Sequence, residues 1–324
     1  MIKIVVDIQG ADSAAPTLID GVINALEKNA ELFVYLCGDK AELEAELSGK
    51  RYDTERLQII DAPQVITNDE KPLAAVMAKK NSSLVKGLEL CKSKSDVGAF
   101  VTCGATGAMF VAAMMLLEKI VKSPALLCAL KKPNGAQFCI VDCGANVDCR
   151  PERTEDFARI GVAYMKTVGV QLPRIALLSN GAEDAKGNKF TKQAHDILRA
   201  SDLNFIGNIE GSDVLSGNAD VIVSEGFGGN VLLKTIEGSA KAVVSELKES
   251  IKAKMGDYSE LDEIVDAVYR EYDYTTQGGA MLLGFKTPIV KGHGAATAET
   301  VYNIIDIAYS LANNGVMEKI QNEF

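Results

Sequence analysis

The segment Asp220-Val-Ile-Val-Ser-Glu-Gly-Phe-Gly-Gly-Asn-Val-Leu-Leu-Lys-Thr235 joins a buried strand to a loop containing Gly226, Gly228 and Gly229, and a helix is predicted to open near Asn230. Glycine lets backbone N–H groups come close to a ligand, and a helix start adds unsatisfied donors and the positive end of a dipole. Such a turn can cradle a phosphate or an oxyanion; it can equally be a tight strand-to-helix connection that uses glycine only for its backbone angles. Gly104-Ala105-Thr106-Gly107 is a second candidate of this type, with the Thr106 hydroxyl as an added donor. Cys103 stands immediately before it. A thiol there would act as a nucleophile only if electropositive surroundings lowered its pKa, and is otherwise a small packed hydrophobe. Lys186, within Glu183-Asp-Ala-Lys-Gly-Asn188, can hold a phosphate oxygen or stabilise a developing oxyanion, or it can form a surface ion pair. The loop from Gly144 to Pro151 offers Asn146, Asp148 and Arg150 either to a ligand or to its own turn. His293, between Gly292 and Gly294, is an acid–base group without an identifiable partner in the sequence.

These residues fall where strands give way to helices. Strands are predicted at Lys3–Ile8, Leu32–Cys37, Leu57–Asp61, Gly98–Thr102, Ala125–Ala129, Phe138–Asp142, Arg174–Ser179 and Asp220–Ser224. Helices are predicted at Thr17–Lys28, Lys40–Leu47, Leu73–Cys91, Thr106–Glu118, Arg153–Val168 and Lys189–Ala200. Strands that are apolar on both faces, alternating with helices, specify an α/β fold: a mostly parallel sheet in a three-layer αβα arrangement. In such sheets ligands bind beyond the carboxyl ends of the strands, where the glycine-rich loops lie. Ser239–Met255 and Ser259–Tyr272 read as two helices joined at Gly256-Asp257, a hairpin projecting from the body over about 238–274. No linker composition divides the chain, so one elaborated catalytic domain over residues 1–324 is expected.

Composition narrows the class. The 324 residues are 47% hydrophobic and carry a formal charge of −10, which argues against nucleic acid as a partner. A local basic run of Lys79, Lys80, Lys86, Lys92 and Lys94 could meet an acidic protein or be a solvated helix face. Cys139, Cys143 and Cys149 lack metal-ligand spacing, and no metal or other cofactor is expected. The apolar stretch near Ala105–Leu117 is too short to span a bilayer, so the reading is a soluble, cytoplasmic protein.

Taken in order along the chain, these segments resemble the PlsX family of acyl-ACP:phosphate acyltransferases. The resemblance is carried by Val6-Asp7 through Gly10 and Asp12, Lys79 through Ser83, Asp142 through Cys149, Lys186-Gly187-Asn188, Gly207 through Gly211, Gly226 through Glu237, Gly278 through Gly284, and Lys291 through Gly294. It implies a fold related to phosphotransacetylases and isocitrate dehydrogenase-like enzymes. It also implies a reaction in which an acyl carrier protein thioester and inorganic phosphate give acyl phosphate and free carrier protein, with a homodimeric enzyme at the membrane periphery. By the same resemblance Lys186 and Asn230 are the catalytic candidates. Gly104, Thr106, Gly107, Asn146, Asp148, Gly226, Gly228, Gly229 and His293 are the expected substrate- or phosphate-binding residues.

The chain departs from the family pattern at several points. Ala105 replaces an asparagine, and Met77 and Ser123 replace arginines. The hairpin segment from Asp257 to Asp266 is acidic where relatives carry apolar and basic residues, which makes membrane association doubtful because an anionic leaflet would repel it. Two other readings are therefore kept: a phosphotransacetylase-like enzyme that uses another acyl thioester, and a non-catalytic binding protein of the same fold.

Overall fold

The computed structural model describes residues 1–256, 259–272 and 279–324, with the side chains of Met255 and Ser259 excluded. The chain divides into two compact units, one formed by residues 1–124 and 278–322 and the other by residues 125–277.

The first unit contains β1 (Ile2–Asp7), α1 (Ala15–Lys28), β2 (Leu32–Gly38), α2 (Lys40–Leu47), β3 (Leu57–Asp61), α3 (Pro72–Ala78), α4 (Ser83–Ser93), β4 (Val97–Thr102) and α5 (Thr106–Leu116). The second unit opens with β5 (Ala125–Lys131), β6 (Gln137–Val141), α6 (Arg153–Thr167), β7 (Ile175–Leu178), α7 (Lys189–Ala200), β8 (Phe205–Ile209) and β9 (Val221–Val223). It closes with α8 (Gly226–Met255) and α9 (Ser259–Tyr272). The chain then returns to the first unit as β10 (Ala280–Leu283), β11 (Ile289–Lys291), α10 (Ala298–Asn313) and α11 (Val316–Asn322).

In the first unit the strand order is β3-β2-β1-β4-β11-β10, parallel except where β10 runs against β11. Ile4, Val5 and Val6 are all essentially inaccessible, as expected for a strand covered on both faces. Helices lie on both sides. Gly87 of α4 approaches Val5 and Phe100, whereas Gly98 is approached by Ala312 of α10 next to Ile2. Alternation along β1 puts Ile2 and Val5 on opposite faces, which makes this unit three-layered. The second unit orders its strands β5-β6-β9-β7-β8, with only β5 antiparallel to its neighbour. Here α6 packs on β6 and β9, and its Gly161 fits against Val221 and Val141.

Three features differ from the sequence reading. The helix expected over Leu73–Cys91 is two helices, because residues 79–83 turn aside to pair with Gln64: Gln64 N–H donates to Asn81 O, and Ser83 N–H donates to Gln64 O. Ser82 then caps α4 by accepting from Val85 N–H. Second, α8 begins at Gly226, not near Asn230, and runs unbroken to Met255; the three glycines form its first turn and are not a loop. Third, the chain has three strands and two helices that the sequence reading omitted: β8, β10, β11, α10 and α11. Asp257 and residues 273–278, which include parts of the expected hairpin and of the Gly278–Gly284 match, lie outside the described residues.

Candidate functional site

Lys186 sits on the loop between β7 and α7 and is exposed. Its backbone N–H donates to Glu183 O, and a Cβ on Gly181 would meet Lys186 Cγ at 2.6 Å, so the lysine stem lies across that glycine. Gly187 has φ +102°, a left-handed conformation that favours glycine, and lets the chain turn directly into α7. Asn188 caps that helix, accepting from Thr191 N–H at 2.9 Å. Two anchors hold the loop from outside. Asp184 accepts from Arg199 Nη2 at 2.7 Å and lies 3.3 Å from His195 Nε2, and Asn208 Nδ2 donates to Glu183 O. His195 is therefore an almost fully buried support for the loop, edge-on to Phe205. Ser179 Oγ and Asn208 Oδ1 are buried beside this loop without hydrogen-bond partners among the described residues.

The start of α8 is packed against the loop that follows β6. A Cβ on Gly226 would lie 2.7 Å from the Asn146 carbonyl carbon, and one on Gly229 would collide with the Asp142 carbonyl oxygen. These glycines are required for close helix–loop approach. Their donors are also occupied: Gly226 N–H donates to Asn146 O, and Gly228 N–H donates to the capping carboxylate of Glu225. Asp142, reached through a cis Val141–Asp142 peptide, organises the loop. Its carboxylate accepts from Leu126 N–H, Gly144 N–H, Ala145 N–H, Asn146 N–H and Asn146 Nδ2. Burial raises its pKa against the opposing pull of these hydrogen bonds. Asn230, one turn into α8, is exposed and donates through Nδ2 to Cys143 O at 3.2 Å. Asp148 lies exposed farther along the same loop. At the other end of the motif, Asp220 is engaged bidentately by Arg174, which ties β9 to the start of β7.

The structure brings the Lys186 loop and the start of α8 to one cavity of about 1050 Å³, bordered at one end by Ser179, Gly187, Asn188, Ser224 and Glu225. Lys186 and Asn230 do not themselves line it; Gly187 and Asn188 follow the lysine, and Gly228 and Val231 flank the asparagine. A cation and an amide so placed can bind an anion and polarise a carbonyl.

Gly104, Thr106, Gly107 and His293 belong to the first unit. Gly104 N–H donates to Thr102 Oγ1, and Thr106 opens α5, whose N-cap Ala105 offers no side-chain acceptor. His293 is exposed, and its Nδ1 accepts from Ala295 N–H in its own turn. Cys103 is buried, and burial pushes its thiol up to about 11, the reverse of what an activated nucleophile requires.

The sequence reading missed a buried polar group at adjacent strand ends. Asp7, Thr102 and Lys291 close β1, β4 and β11 in register. Thr102 Oγ1 donates to Asp7 Oδ2 at 2.8 Å, and Gln9 N–H donates to Asp7 Oδ1. Desolvation pushes Asp7 up to about 6, partly offset by hydrogen bonds from Ser83 and Thr102 and by the nearby Lys291 charge. The signal was present in three polar residues ending apolar runs, but β11 is too short to be read from its pattern.

Comparison with known proteins gives a consistent result. A family profile described as "Fatty acid synthesis protein" matches residues 2–319. A phosphate acyltransferase of Caldanaerobacter subterraneus is 40% identical, over 99% of this chain and 97% of its own. One from Lacticaseibacillus casei is 38% identical, over 99% of this chain and 95% of its own. Among solved structures, a phosphotransacetylase from Streptococcus pyogenes superposes with a TM-score of 0.61 at 16% identity, covering 96% of this chain and 94% of that one. A branched-chain phosphotransacylase from Enterococcus faecalis gives 0.58 at 14% identity, covering 96% and 99%. These last two are likenesses of fold.

Proposed function

The chain belongs to the phosphate acyltransferase family, and on that premise we propose that it transfers an acyl group from acyl carrier protein to inorganic phosphate. A phosphate oxygen attacks the thioester carbonyl carbon. The new C–O bond forms, the tetrahedral oxyanion collapses, and the C–S bond breaks with its electron pair on sulfur, which takes up a proton as the free thiol. Lys186 neutralises the phosphate or the oxyanion, and Asn230 donates a hydrogen bond to the reacting oxygen. Gly104, Thr106, Gly107, Asn146, Asp148 and His293 are proposed to border the substrates. Gly226, Gly228 and Gly229 act by letting α8 approach the Asp142 loop.

The observation that carries this reading is that the Lys186 loop and the α8 start border one cavity. No nucleophile–base pair is required, in keeping with the raised pKa of Cys103. The thioester donor is read as carrier protein and the assembly as a homodimer. Leu247 and Ile264, apolar and 46% and 60% exposed on α8 and α9, are suited to a second copy. Among the described residues no helix is long and apolar enough to cross a membrane. Glu260, Asp262, Glu263 and Asp266 make α9 a poor binder of anionic lipid, and the protein is read as cytoplasmic.

The test is turnover by Lys186→Ala and Asn230→Ala. Loss of one preorganised donor of this kind costs about 3 kcal/mol, so each variant is expected to fold normally and to turn over about a hundredfold more slowly. Full turnover by either folded variant overturns its assigned role.

A further inference from the structure

We infer that Asp7 is a positioning residue for the proposed reaction: its buried carboxylate fixes the loops after β1, β4 and β11 that lead to Gly104, Thr106, Gly107 and His293. This rests on the acyl-transfer reading above. Asp7 is 3% exposed and Thr102 is inaccessible, and the two end neighbouring parallel strands in register. One carboxylate oxygen accepts from Gln9 N–H at 3.1 Å, which sets the start of the loop after β1. The other accepts from Thr102 Oγ1 at 2.8 Å, and Thr102 Oγ1 in turn accepts from Gly104 N–H at 3.0 Å. An ionised carboxylate can only accept, so it dictates where the hydroxyl proton points and leaves the hydroxyl lone pair for Gly104. Around this relay the backbones are close: a Cβ on Gly104 would lie 3.1 Å from Gln9 O, and one on Gly10 would lie 3.7 Å from Gly104 Cα. The loops after β1 and β4 therefore pack backbone against backbone beside the carboxylate.

The third loop joins through Lys291. Its Nζ donates to Cys103 O at 3.3 Å and to Gly292 O, and its charge acts on Asp7. Gly292 N–H donates to Thr102 O at 2.9 Å, and Gly294 O accepts from Asp12 N–H at 2.8 Å, so the turn that carries His293 is tied to both other loops. Ser83 adds a hydroxyl donor to Asp7 from the start of α4. Segments distant in sequence, to which Lys186 and Asn230 give no role, meet at one carboxylate.

Stability does not account for this arrangement. Burial pushes the carboxyl up to about 6, so near neutral pH its surroundings disfavour the ionised group, and Asp7→Asn should be no less stable than wild type there. Buried carboxylates of that kind gather at functional sites. Here the ionised form has a definite use, because an amide in its place can donate to Thr102 Oγ1, turn the hydroxyl and release Gly104.

The test compares Asp7→Asn, Thr102→Val and Thr102→Ser with wild type, as full-length proteins at neutral pH. Stability in urea, amide hydrogen exchange over residues 104–107 and phosphate-dependent turnover of acyl-ACP are measured on each. Asp7→Asn is expected to match or exceed wild-type stability and yet to exchange the loop amides about tenfold faster. Its kcat should fall about tenfold while half-saturating phosphate changes by less than about threefold, since the loop orients the acyl donor and Lys186 holds the anion. Thr102→Val, which lacks the hydroxyl relay, should show the same loss, and Thr102→Ser, which keeps it, should recover most of the wild-type rate. Asp7→Asn combined with Thr102→Val should be no slower than either alone, because both cut one relay. Full turnover by a folded Asp7→Asn, or turnover that only follows the folded fraction, overturns the inference and leaves Asp7 a packing group. Slower turnover with wild-type loop exchange also overturns it. If wild type turns over no thioester while the loop amides of Asp7→Asn exchange faster, the reaction is rejected and the anchoring of the loop stands.

Discussion

Lys186 is a cation whose surroundings hold its backbone, and its ammonium has no hydrogen-bond or ion-pair partner among the described residues. Gly181 makes room for its stem, Gly187 turns the chain behind it, and Asp184 is held by Arg199 and His195. Its position in a polar loop after an apolar run was legible in the sequence, but its role was not: the residues alone left a surface ion pair open, and the catalytic reading came from the family resemblance. The anchors were not legible, since His195, Arg199 and Asn208 become neighbours only when α7 and β8 pack. The three glycines of the α8 start show the reverse case: the sequence left a ligand cradle and a tight turn both open, and in the structure Gly226 and Gly229 meet a steric demand. Gly229→Ala is predicted to destabilise the fold by about 3 kcal/mol, the upper part of the range for overpacking, since its methyl has only the rigid Asp142 carbonyl to displace; urea denaturation measures it.

Asp7 gives a pH-dependent prediction at the same scale. Its folded pKa, pushed up to about 6, lies above the ordinary carboxylate value, so the folded state holds this proton more tightly than the unfolded state. Its stability contribution is therefore fully present below about pH 4 and lost as pH rises through 6. The difference corresponds to about 3 kcal/mol as an upper figure. Asp7→Asn removes that dependence, so wild type should lose stability relative to the variant between about pH 4 and pH 6. Parallel stability curves for the two proteins across that window would reject the assignment.

At the scale of elements, helix caps decide where the chain can be read from sequence. Lys189–Ala200 has the same bounds in the sequence reading and the structure, since Asn188 is a strong cap and the helical pattern behind it is clear. The Leu73–Cys91 segment was misread because Ser82, an equally good cap, sits inside a continuous helical pattern whose break depends on the distant Gln64. The start of α8 was misplaced because glycine is a poor helix former; here close packing and the Glu225 cap override propensity. Two predictions belong to this scale. Asn188→Ala should cost about 1 kcal/mol of stability and, by slackening the Lys186 loop, raise the phosphate concentration needed for half-maximal turnover while kcat changes little. Ala105→Asn, which supplies a capping side chain at a position with extended cap geometry, should stabilise α5 by about 1 kcal/mol in chemical denaturation.

Over the whole molecule, the α/β class was legible because eight strands are short, β-branched and apolar on both faces, and that pattern has few other solutions. The return of residues 279–322 to complete the first unit was not legible: β10 and β11 are four and three residues long, and their pairing with β4 is set by tertiary contacts. No change of composition marks the passage from Pro124 to Ala125, where the contacts divide the chain. Full-length kinship with phosphate acyltransferases and the cavity beside Lys186 together make acyl transfer to phosphate the central claim. It is tested most directly by following phosphate-dependent release of free carrier-protein thiol from a long-chain acyl-ACP, with acetyl-CoA as a parallel substrate. Release from acyl-ACP that requires phosphate and falls about a hundredfold in Lys186→Ala is the predicted result. A folded protein that releases thiol from acetyl-CoA alone, or from neither substrate, would contradict it.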